Sequence, residues 1–503
     1  MKRLIALLVL IFIIVLGYLF FKSNPDSPKI ESKIVLSDET ITVNGKAISN
    51  NSSDSVYSAN DIVFYLAGQD HTYGEGTKND EHEQAEADKH TVIHITKPGR
   101  YSVSGKLSFG QIAIDLGKDA KKDPDAKVTL ILNGVDISCT VAPTVIFYNV
   151  YECSDNNVDN ASMNVDTSNA GANVVIADGT VNNINGSYVA KIYKSVELDE
   201  SGTKVTDSKK LHKYDAAFYS IQSMNVDCQA KGDGILNINA ENEGLDTELH
   251  LTINGGNINI TSGNDGINTN EDNVSVTTIN GGNINILCNG KTGEGDGIDS
   301  NGWLVINGGT VNSQACATSA DAGIDSDMGI YINGGTVIAS GNMLDRIAGG
   351  NQHYAVFNFP SKQVGSNTYT VKDKNGDTVI EYTPQNSFSS LIVSSGKMLP
   401  EPYTVWLGNT QISSSDTNNM QGGMPHGNRP DRPNGEFPQG GRPDMPNGEF
   451  PQGGRPDMPN GEFPQDGRPD MPNGEFPQDG RPDMPNGEFP YPPDKAETMP
   501  YSV

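Results

Sequence analysis

The chain has 503 residues, and its 35 Lys and Arg against 63 Asp and Glu give a formal net charge of −28. Phosphate binding needs clustered basic side chains, so this charge argues against nucleic acid as a partner and favours neutral ligands or divalent cations. Only 35% of residues are hydrophobic while Gly reaches 55, a composition poor in amphipathic helix that argues against a helical enzyme.

The N-terminus is typical of a membrane-spanning signal. Lys2 and Arg3 precede an uncharged, largely apolar run from Leu4 to Phe21. This run reaches the lower limit for a spanning helix and exceeds a usual signal-peptide core. We predict an uncleaved anchor over residues 1–22 and a tether over 23–40, in a single-pass protein of the cell membrane whose remaining chain is extracellular. A cleaved signal peptide, which would make the protein secreted, is the alternative.

Residues 41–345 consist of short β-like runs. Two early runs, 128–138 and 174–184, each have the pattern of a strand, a turn and a second strand. Residues 89–116 show the same alternation and are predicted to form the first turns of the same architecture.

Four copies of an Ile-Asn-Gly-Gly motif establish a repeat. They begin at Ile253, Ile279, Ile306 and Ile332, so the steps are 26, 27 and 26 residues. A period in the twenties with β-type alternation inside each unit indicates a stacked solenoid. We therefore predict an all-β fold, a right-handed parallel β-helix over residues 41–345. Stacking should align one asparagine of each unit so that their amides hydrogen-bond from unit to unit: Asn254, Asn280, Asn307 and Asn333.

Two different segments follow the repeats. Residues 352–412 are predicted to form a small antiparallel β unit that caps the open end of the solenoid, with a hairpin turn at Asn375–Gly376. Residues 413–503 contain a 13-residue Pro-rich repeat, and 19 of the 28 prolines lie beyond Met420. Such a composition cannot bury a core, so the tail is predicted to be disordered, either as a spacer or cell-wall contact or simply as a solvated tail.

A second motif recurs between the repeats, in which an acidic residue is followed by Gly, an apolar residue, and Asp or Asn. Lys291 is the one basic residue in 232–345 among many acidic ones. Outside the cell, calcium is the cation expected to bind such carboxylates and offset their negative charge. The alternative is an exposed, hydrated row of acidic residues without metal. The predicted metal ligands are Glu243, Asp246, Asp265, Asn268, Asp296, Asp299, Asp321, Asp325 and Asp327.

Trp303 and Tyr331 are two of the few aromatic residues in the repeats. The strand alternation directs both outward on neighbouring turns of one face. They are predicted to form a platform on which sugar rings stack. The alternative is that they are covered by a loop or by the 352–412 unit.

The sequence offers little for catalysis. β-Helical glycoside hydrolases combine a pair of Asp residues with a His-Gly and an Arg-x-Lys element, and this combination is not found here. The one His-Gly dipeptide lies in the tail, at His426. A lyase needs a basic side chain, and the candidates are Lys291 and Arg346. We predict that the protein is not an enzyme and has no catalytic residues.

The chain resembles a bacterial β-helix carbohydrate-binding domain family found in clostridial secreted proteins. The resemblance lies in the DGI and INGG repeats and in three further segments, ILNGVDIS, VIADGTVNNI and DAAFYSIQSMNVDCQAKGDGILNINA. The resemblance covers about residues 40–412. It implies a parallel β-helix that holds calcium at the acidic turn positions and binds plant polysaccharides such as cellulose or pectin-type galacturonan. The chain departs from the family pattern at Ala322 and in long insertions at 145–172 and 186–212.

Three functions remain open from the sequence. The leading prediction is a membrane-tethered, calcium-holding protein that binds polysaccharide without cleaving it. The second is a calcium-dependent polysaccharide lyase or a hydrolase. The third is a structural or adhesive cell-surface protein whose solenoid mediates assembly.

Overall fold

The structure is a computed structural model that describes residues 31–65, 80–189, 192–199, 201–202, 205–212 and 214–415. The predicted anchor lies outside the described residues, as does the tail from residue 416 onward. Within the described ranges, no helix is long and apolar enough to cross a membrane.

The predicted all-β class is confirmed. The described chain holds one short α-helix, α1, at Gln84–Ala87 and 3₁₀ turns at Ala120–Lys122 and Val158–Asn160. The strands of the first half are β1 Glu31–Leu36, β2 Thr42–Val43, β3 Lys46–Ala47, β4 Val56–Ala59, β5 Thr91–Ile95, β6 Gly99–Leu107, β7 Gly110–Asp115, β8 Val128–Ser138, β9 Val145–Asn149, β10 Ala172–Ile176, β11 Val181–Gly186, β12 Ile192–Leu198, β13 Val205–His212, β14 Ala216–Ser220, β15 Met224–Cys228 and β16 Ile235–Ala240. The strands of the second half are β17 Glu243–Thr247, β18 His250–Ile253, β19 Asn257–Ser262, β20 Ile267–Thr269, β21 Val276–Ile279, β22 Asn283–Cys288, β23 Trp303–Ile306, β24 Thr310–Gln314, β25 Gly329–Ile332, β26 Thr336–Gly341, β27 Ile347–Gly349, β28 Tyr354–Gln363, β29 Tyr369–Lys372, β30 Thr378–Tyr382, β31 Phe388–Ser395, β32 Thr404–Leu407 and β33 Thr410–Ser414.

Most strands pair in parallel with the equivalent strand of the next repeat, in three stacks. The first stack runs β1, β6, β8, β10, β15, β18, β21, β23, β25, β27. The second stack runs from β8 through β11, β16, β19, β22 and β24 to β26. The third stack runs β5, β7, β9, β14, β17, β20. From β15 to β20 the chain visits the first, second and third stacks in turn, and it does so twice.

The register of the repeats agrees with the predicted alternation. Ile253, Ile279, Ile306 and Ile332 are opposite one another in the first stack, and all four are fully buried. The predicted asparagine ladder is confirmed: Asn280, Asn307 and Asn333 each donate through Nδ2 to the Oδ1 of the preceding asparagine, at 2.8–2.9 Å. A fully buried Ile or Leu is worth about 1.5–3 kcal/mol, so the stacked apolar rows are the main stabilising feature of the repeats.

Close packing between repeats, rather than a left-handed backbone, explains the glycine of the acidic motif. Neither Gly244 nor Gly266 has a positive φ. An added Cβ on Gly244 would instead lie 2.5 Å from the carbonyl oxygen of Gly266, and one on Gly266 would lie 2.6 Å from that of Gly297. Successive repeats therefore approach so closely at this corner that a side chain has no space.

Antiparallel strands cover both ends of the stacks. At the N-terminal end β4 pairs with β5. At the C-terminal end β31 pairs with β26 and with β28, and β29, β30, β32 and β33 form a separate sheet with its own core. The predicted hairpin at Asn375–Gly376 is present, since β29 and β30 pair antiparallel across it.

Two segments differ from the sequence-based outline. Residues 31–36, inside the stretch for which a tether is predicted, form β1 and pair in parallel with β6. The predicted insertion 145–172 is interrupted by β9, which pairs with β7 and β14 in the third stack. The inserted part is thus shorter, and it leaves the stacks only after residue 149.

Candidate functional site

A groove runs along the outer face of the first stack, across its strands. One row of outward side chains consists of equivalent positions on successive strands: Arg100, Thr129, Asn173, Asn225, Thr252, Thr278, Val305 and Tyr331. The asparagine ladder lies two residues further along each strand and forms a second row. With strands about 4.8 Å apart, the eight positions of the first row span roughly 34 Å.

The loop 163–168 forms the wall of the groove. Thr167 is buried, and its hydroxyl hydrogen-bonds with Asn225 Oδ1 at 2.8 Å and Thr252 Oγ1 at 2.7 Å. Asn225 Nδ2 also donates to the Thr167 carbonyl oxygen at 2.8 Å. These bonds fix the loop on the sheet, so the wall is part of the folded structure.

The groove has a volume of about 790 Å³ and a lining dominated by amide, hydroxyl and backbone groups. Within the ladder each amide uses one N–H for its neighbour, which leaves a second N–H for a ligand. Such a regular row of donors suits a long chain molecule that carries hydroxyl groups at regular intervals. The floor of the groove includes Thr278, Asn280, Val305, Asn307 and Asn333.

The two predicted aromatic residues lie at the downstream end of this face. Tyr331 belongs to the first outward row, next to Val305, and Trp303 lies opposite Gly329 on the following strand. Both side chains are half-buried. Trp303 and Tyr331 are therefore on neighbouring strands of the same outer face, as the alternation predicts.

A compact acidic cluster lies on the third stack. Ligand oxygens of Asp215, Glu243 and Asp246 lie within 4.8 Å of one another, and all three residues are buried. Asn268 is opposite Asp246 on the next strand, and its Nδ2 donates to Glu243 Oε1 at 3.2 Å. Burial of these groups is inconsistent with an exposed, hydrated acidic ladder at this position.

The donors of the cluster fit a hard cation. Asp215 Oδ1, Asp246 Oδ2 and Asn268 Oδ1 are buried and accept no hydrogen bond within the described part of the chain. A buried polar atom without a partner is costly, and an all-oxygen donor set suits calcium. Asp215, Glu243, Asp246 and Asn268 are thus the residues whose oxygens could hold such an ion.

Burial and mutual repulsion dominate the electrostatics of the cluster. Burial and the neighbouring carboxylates of Glu243 and Asp215 raise the pKa of Asp246 well above its ordinary value. Burial together with Glu243, Asp299 and Asp296 does the same to the pKa of Asp265. A bound divalent cation would remove this repulsion.

The other predicted acidic ligands continue the row but are tied to the backbone. Asp265 accepts from the Asp296 amide at 2.7 Å, and Asp321 accepts from the Gly295 amide at 2.6 Å. Asp296 accepts from the Ala322 amide, and burial raises the pKa of Asp296 to about 8. No second group of three is brought together among the described residues. The remaining predicted ligands, Asp299, Asp325 and Asp327, lie beside this row, and Asp327 is exposed.

The sequence pattern indicates neither Asp215 in the acidic cluster nor the loop 163–168 that forms the wall of the groove. The motif does not include Asp215, which lies one residue before the motif position, since β14 and β17 pair Ala216 with Glu243. The signal that would have found it is Phe218, which occupies the buried apolar position of Leu245 one repeat earlier. The wall of the groove comes from an insertion without any periodic pattern.

The chain is similar in sequence to proteins described as carbohydrate-binding. A family model described as carbohydrate-binding domain-containing protein matches residues 89–355, which is more than half of the chain. A protein of Acetivibrio thermocellus with the same description is 29% identical over 169 residues, which are 33% of this chain and 44% of that protein. The match therefore spans less than half of the relative's length.

Among solved structures, a protein described as the polysaccharide lyase-like protein from C. thermocellum, in a gadolinium derivative, is similar to this chain. The two share 19% sequence identity over 61% of this chain and 94% of that one, with a TM-score of 0.32. A likeness at this level supports no argument about fold or activity.

Proposed function

The chain belongs to the carbohydrate-binding domain-containing family, and on that premise we propose that it binds a polysaccharide without cleaving it. The observation that carries the proposal is the groove on the first stack, whose floor repeats one asparagine amide per strand over four successive strands. A polysaccharide carries hydroxyl groups that recur along its length, and the amides of the groove recur along the stack in the same way. Trp303 and Tyr331 do not line the groove itself but lie beside it on β23 and β25, where they would stack on the C–H face of a ring.

The proposed fold is the right-handed parallel β-helix. Its support is the parallel pairing from repeat to repeat in all three stacks, with a step of 26 or 27 residues in the first and second stacks from β18 and β19 onward. The right hand is the one that parallel crossover connections adopt almost without exception.

Calcium is the proposed structural ion. Asp215, Glu243, Asp246 and Asn268 would hold it, since their buried oxygens include three without hydrogen-bond partners in the described chain. When bound, the ion supplies positive charge to a group of carboxylates that otherwise repel one another. The chain's own contribution is to bury those oxygens and to fix Asn268 through its bond to Glu243.

The proposed location is the outer surface of the cell membrane, with residues 1–22 as the anchor. The support is the apolar run from Leu4 to Phe21 between Lys2–Arg3 and Lys22. The Pro-rich tail is proposed to act as a spacer or as a contact with the cell wall.

The position of Lys291 supports a non-catalytic role. Its ammonium group is exposed, forms an ion pair with Glu241 at 3.3 Å and does not line the groove. A base for a lyase must be within reach of the substrate proton, and a paired surface lysine outside the groove is poorly suited to that task.

The experiment uses the full-length chain in detergent and measures its retention on insoluble cellulose and on cross-linked pectin. The double variant Asn280→Ala/Asn307→Ala removes ladder amides from the groove floor. The control Asn259→Ala/Asn285→Ala removes amides of a similar ladder on the second stack, where Asn285 donates to Asn259 at 3.1 Å. We expect about tenfold weaker retention for the groove variant and none of this loss for the control, because each lost hydrogen bond is worth about 1 kcal/mol.

The same samples are assayed for new reducing ends and for unsaturated products, and we expect neither. Failure of the wild-type chain to be retained on any glycan would contradict the binding proposal and favour a structural surface protein. Product formation that is lost in Lys291→Ala would favour a lyase.

A further inference from the structure

The four asparagines of the ladder share one local sequence, Ile-Asn-Gly-Gly, but the fold holds them differently. Each is followed by a glycine, from Asn254–Gly255 in the first repeat to Asn333–Gly334 in the last. A glycine has no side chain to hinder the approach of its backbone nitrogen to the amide carbon of the preceding asparagine. Because the local sequence is the same, a difference in reactivity among the four must come from the surrounding structure.

Asn254 is the first member of the ladder, and its side-chain nitrogen has no acceptor. The Nδ2 atoms of the three later asparagines each donate to the asparagine before them. The residue that precedes Asn254 in this row is Asp227, and Asn254 Nδ2 donates no hydrogen bond to any group that the structure describes. Asn254 Oδ1, in contrast, accepts from Asn280 Nδ2 at 2.9 Å. The amide of Asn254 is therefore polarised by the ladder without being held through its nitrogen.

The backbone nitrogen after Asn254 is also without an acceptor. The amides of Gly308 and Gly334 donate, at 3.3 Å, to the carbonyl oxygen of the ladder isoleucine one repeat earlier. The amides of Gly255 and Gly281 donate to no backbone oxygen among the described residues. Asn254–Gly255 is thus the pair of the ladder in which neither nitrogen is engaged.

Close packing restrains the later pairs and spares the first. An added Cβ on Gly281, Gly308 or Gly334 would lie 2.4–2.7 Å from the carbonyl oxygen of the ladder asparagine one repeat earlier. The nearest atom to one on Gly255 would be Cys228 Sγ, at 2.7 Å. A side-chain sulfur can rotate away, whereas a backbone oxygen inside the stack cannot, so the peptide unit after Asn254 has the most freedom to move.

We propose that Asn254 is a deamidation site, the member of the ladder that is chemically modified. The Gly255 nitrogen attacks Asn254 Cγ: a C–N bond forms, the Cγ–Nδ2 bond breaks, and Nδ2 leaves as ammonia with the proton of the Gly255 amide. Water then opens the resulting succinimide ring to aspartate or isoaspartate, so solvent is the only other reactant. The hydrogen bond from Asn280 stabilises the negative charge that Asn254 Oδ1 acquires during the attack.

The modification changes the charge of the groove. Asn254 and Asp227 both line it, so the product has two carboxylates in succession at the upstream end of the ladder. Isoaspartate also adds one carbon to the main chain ahead of the Gly-Gly turn. The inference concerns the ladder itself and does not depend on the proposed polysaccharide binding.

The test incubates the full-length chain in detergent at mildly alkaline pH and follows the four ladder sites by mass spectrometry of proteolytic peptides. The same chain in concentrated urea is the reference, because without the fold the four sites should convert at similar rates. In the folded chain we expect Asn254 to convert at least about fivefold faster than Asn280, the rate factor that corresponds to one net hydrogen bond of about 1 kcal/mol. Asn307 and Asn333 should convert more slowly still.

Two variants at opposite ends of the ladder isolate the role of the hydrogen bond. Asn254→Ala makes Asn280 the first member and removes the acceptor of its Nδ2, so conversion of Asn280 should rise by up to about fivefold. Asn333→Ala is the matched control, because it leaves the donor bonds of Asn280 and Asn307 in place and should change neither rate.

Equal conversion at the four sites of the folded chain would overturn the proposal. So would an unreactive Asn254 under conditions in which the chain in urea converts. An unchanged rate at Asn280 in Asn254→Ala would show that the ladder bond gives no protection, and it would also overturn the proposal. Since the readout is the mass of the peptides, failure of the chain to bind any glycan would leave this result unaffected.

Discussion

At the scale of single residues, His90 shows how one side chain joins two segments. Its Nε2 accepts from the Thr140 amide at 3.1 Å, and its Nδ1 donates to the Glu86 carbonyl oxygen at 3.1 Å. The ring is therefore neutral, with its proton on Nδ1, and it fastens α1 to the corner that follows β8. The charged groups around it are the Glu86 carboxylate, His82 and Lys89, which lies with His90 against Phe109.

Burial lowers the pKa of His90 below its ordinary value near 6.5. The unfolded chain then binds a proton at higher pH than the folded chain, so stability falls as the pH drops below about 6.5. We expect the free energy of unfolding of the wild type to fall more than that of His90→Gln between pH 7 and pH 5, by at most about 1.4 kcal/mol per pH unit. Urea denaturation at both pH values measures this difference, and equal losses in the two proteins would contradict the assignment.

At the scale of elements, the corner between the second and third stacks depends on glycine. An added Cβ on Gly266 would lie 2.2 Å from Ile286 Cγ2 and 2.6 Å from the Gly297 carbonyl oxygen. The backbone atom cannot move without displacing the next repeat, so the strain affects the whole stack.

We expect Gly266→Ala to lower the free energy of unfolding by about 2 kcal/mol or more. Gly396→Ala is the control, because its Cβ would have its nearest contact with the Gln352 side-chain oxygen at 3.7 Å, an ordinary van der Waals distance. Thermal denaturation of both variants provides the comparison. A small shift for Gly266→Ala would show that the repeats can separate at this corner.

The repeated strands could be predicted because each repeat obeys the same two rules. Side chains alternate along a strand, and the step of 26 or 27 residues returns the chain to the same position, so Ile253 and Asn254 define the places of Ile279 and Asn280. The predicted ligands Glu243, Asp246 and Asn268 do come together with Asp215. The groove wall was beyond this reasoning, since Thr167 reaches Asn225 and Thr252 through contacts 58 and 85 residues apart.

At the scale of the whole molecule, the proposed calcium ion would couple stability to calcium concentration. A ligand that binds only the folded state stabilises it, by about 2.7 kcal/mol when its concentration is a hundred times its Kd. We expect the midpoint of thermal unfolding of the full-length chain to fall when calcium is removed with EGTA, and to recover on adding calcium back.

Asp246→Asn should lose most of this calcium-dependent shift, because Asp246 is fully buried in the middle of the cluster. Without calcium the variant should be at least as stable as the wild type, since one of three repelling carboxyl groups is gone. Asp136→Asn is the control: Asp136 pairs with Lys106 on the surface and lies outside the cluster. A wild-type midpoint that is insensitive to EGTA would contradict the proposed ion.

The step of 26 or 27 residues between successive first-stack strands also has a consequence for how such proteins evolve. Because equivalent strands of β18, β21, β23 and β25 pair in full register, duplication or loss of one 26-residue unit preserves the cross-section of the molecule. It lengthens or shortens the groove by one strand spacing, about 4.8 Å, and adds or removes one ladder amide. For the proposed polysaccharide binding, a single in-frame duplication or deletion would thus alter the number of sugar units held, while the antiparallel strands at either end remain as they are.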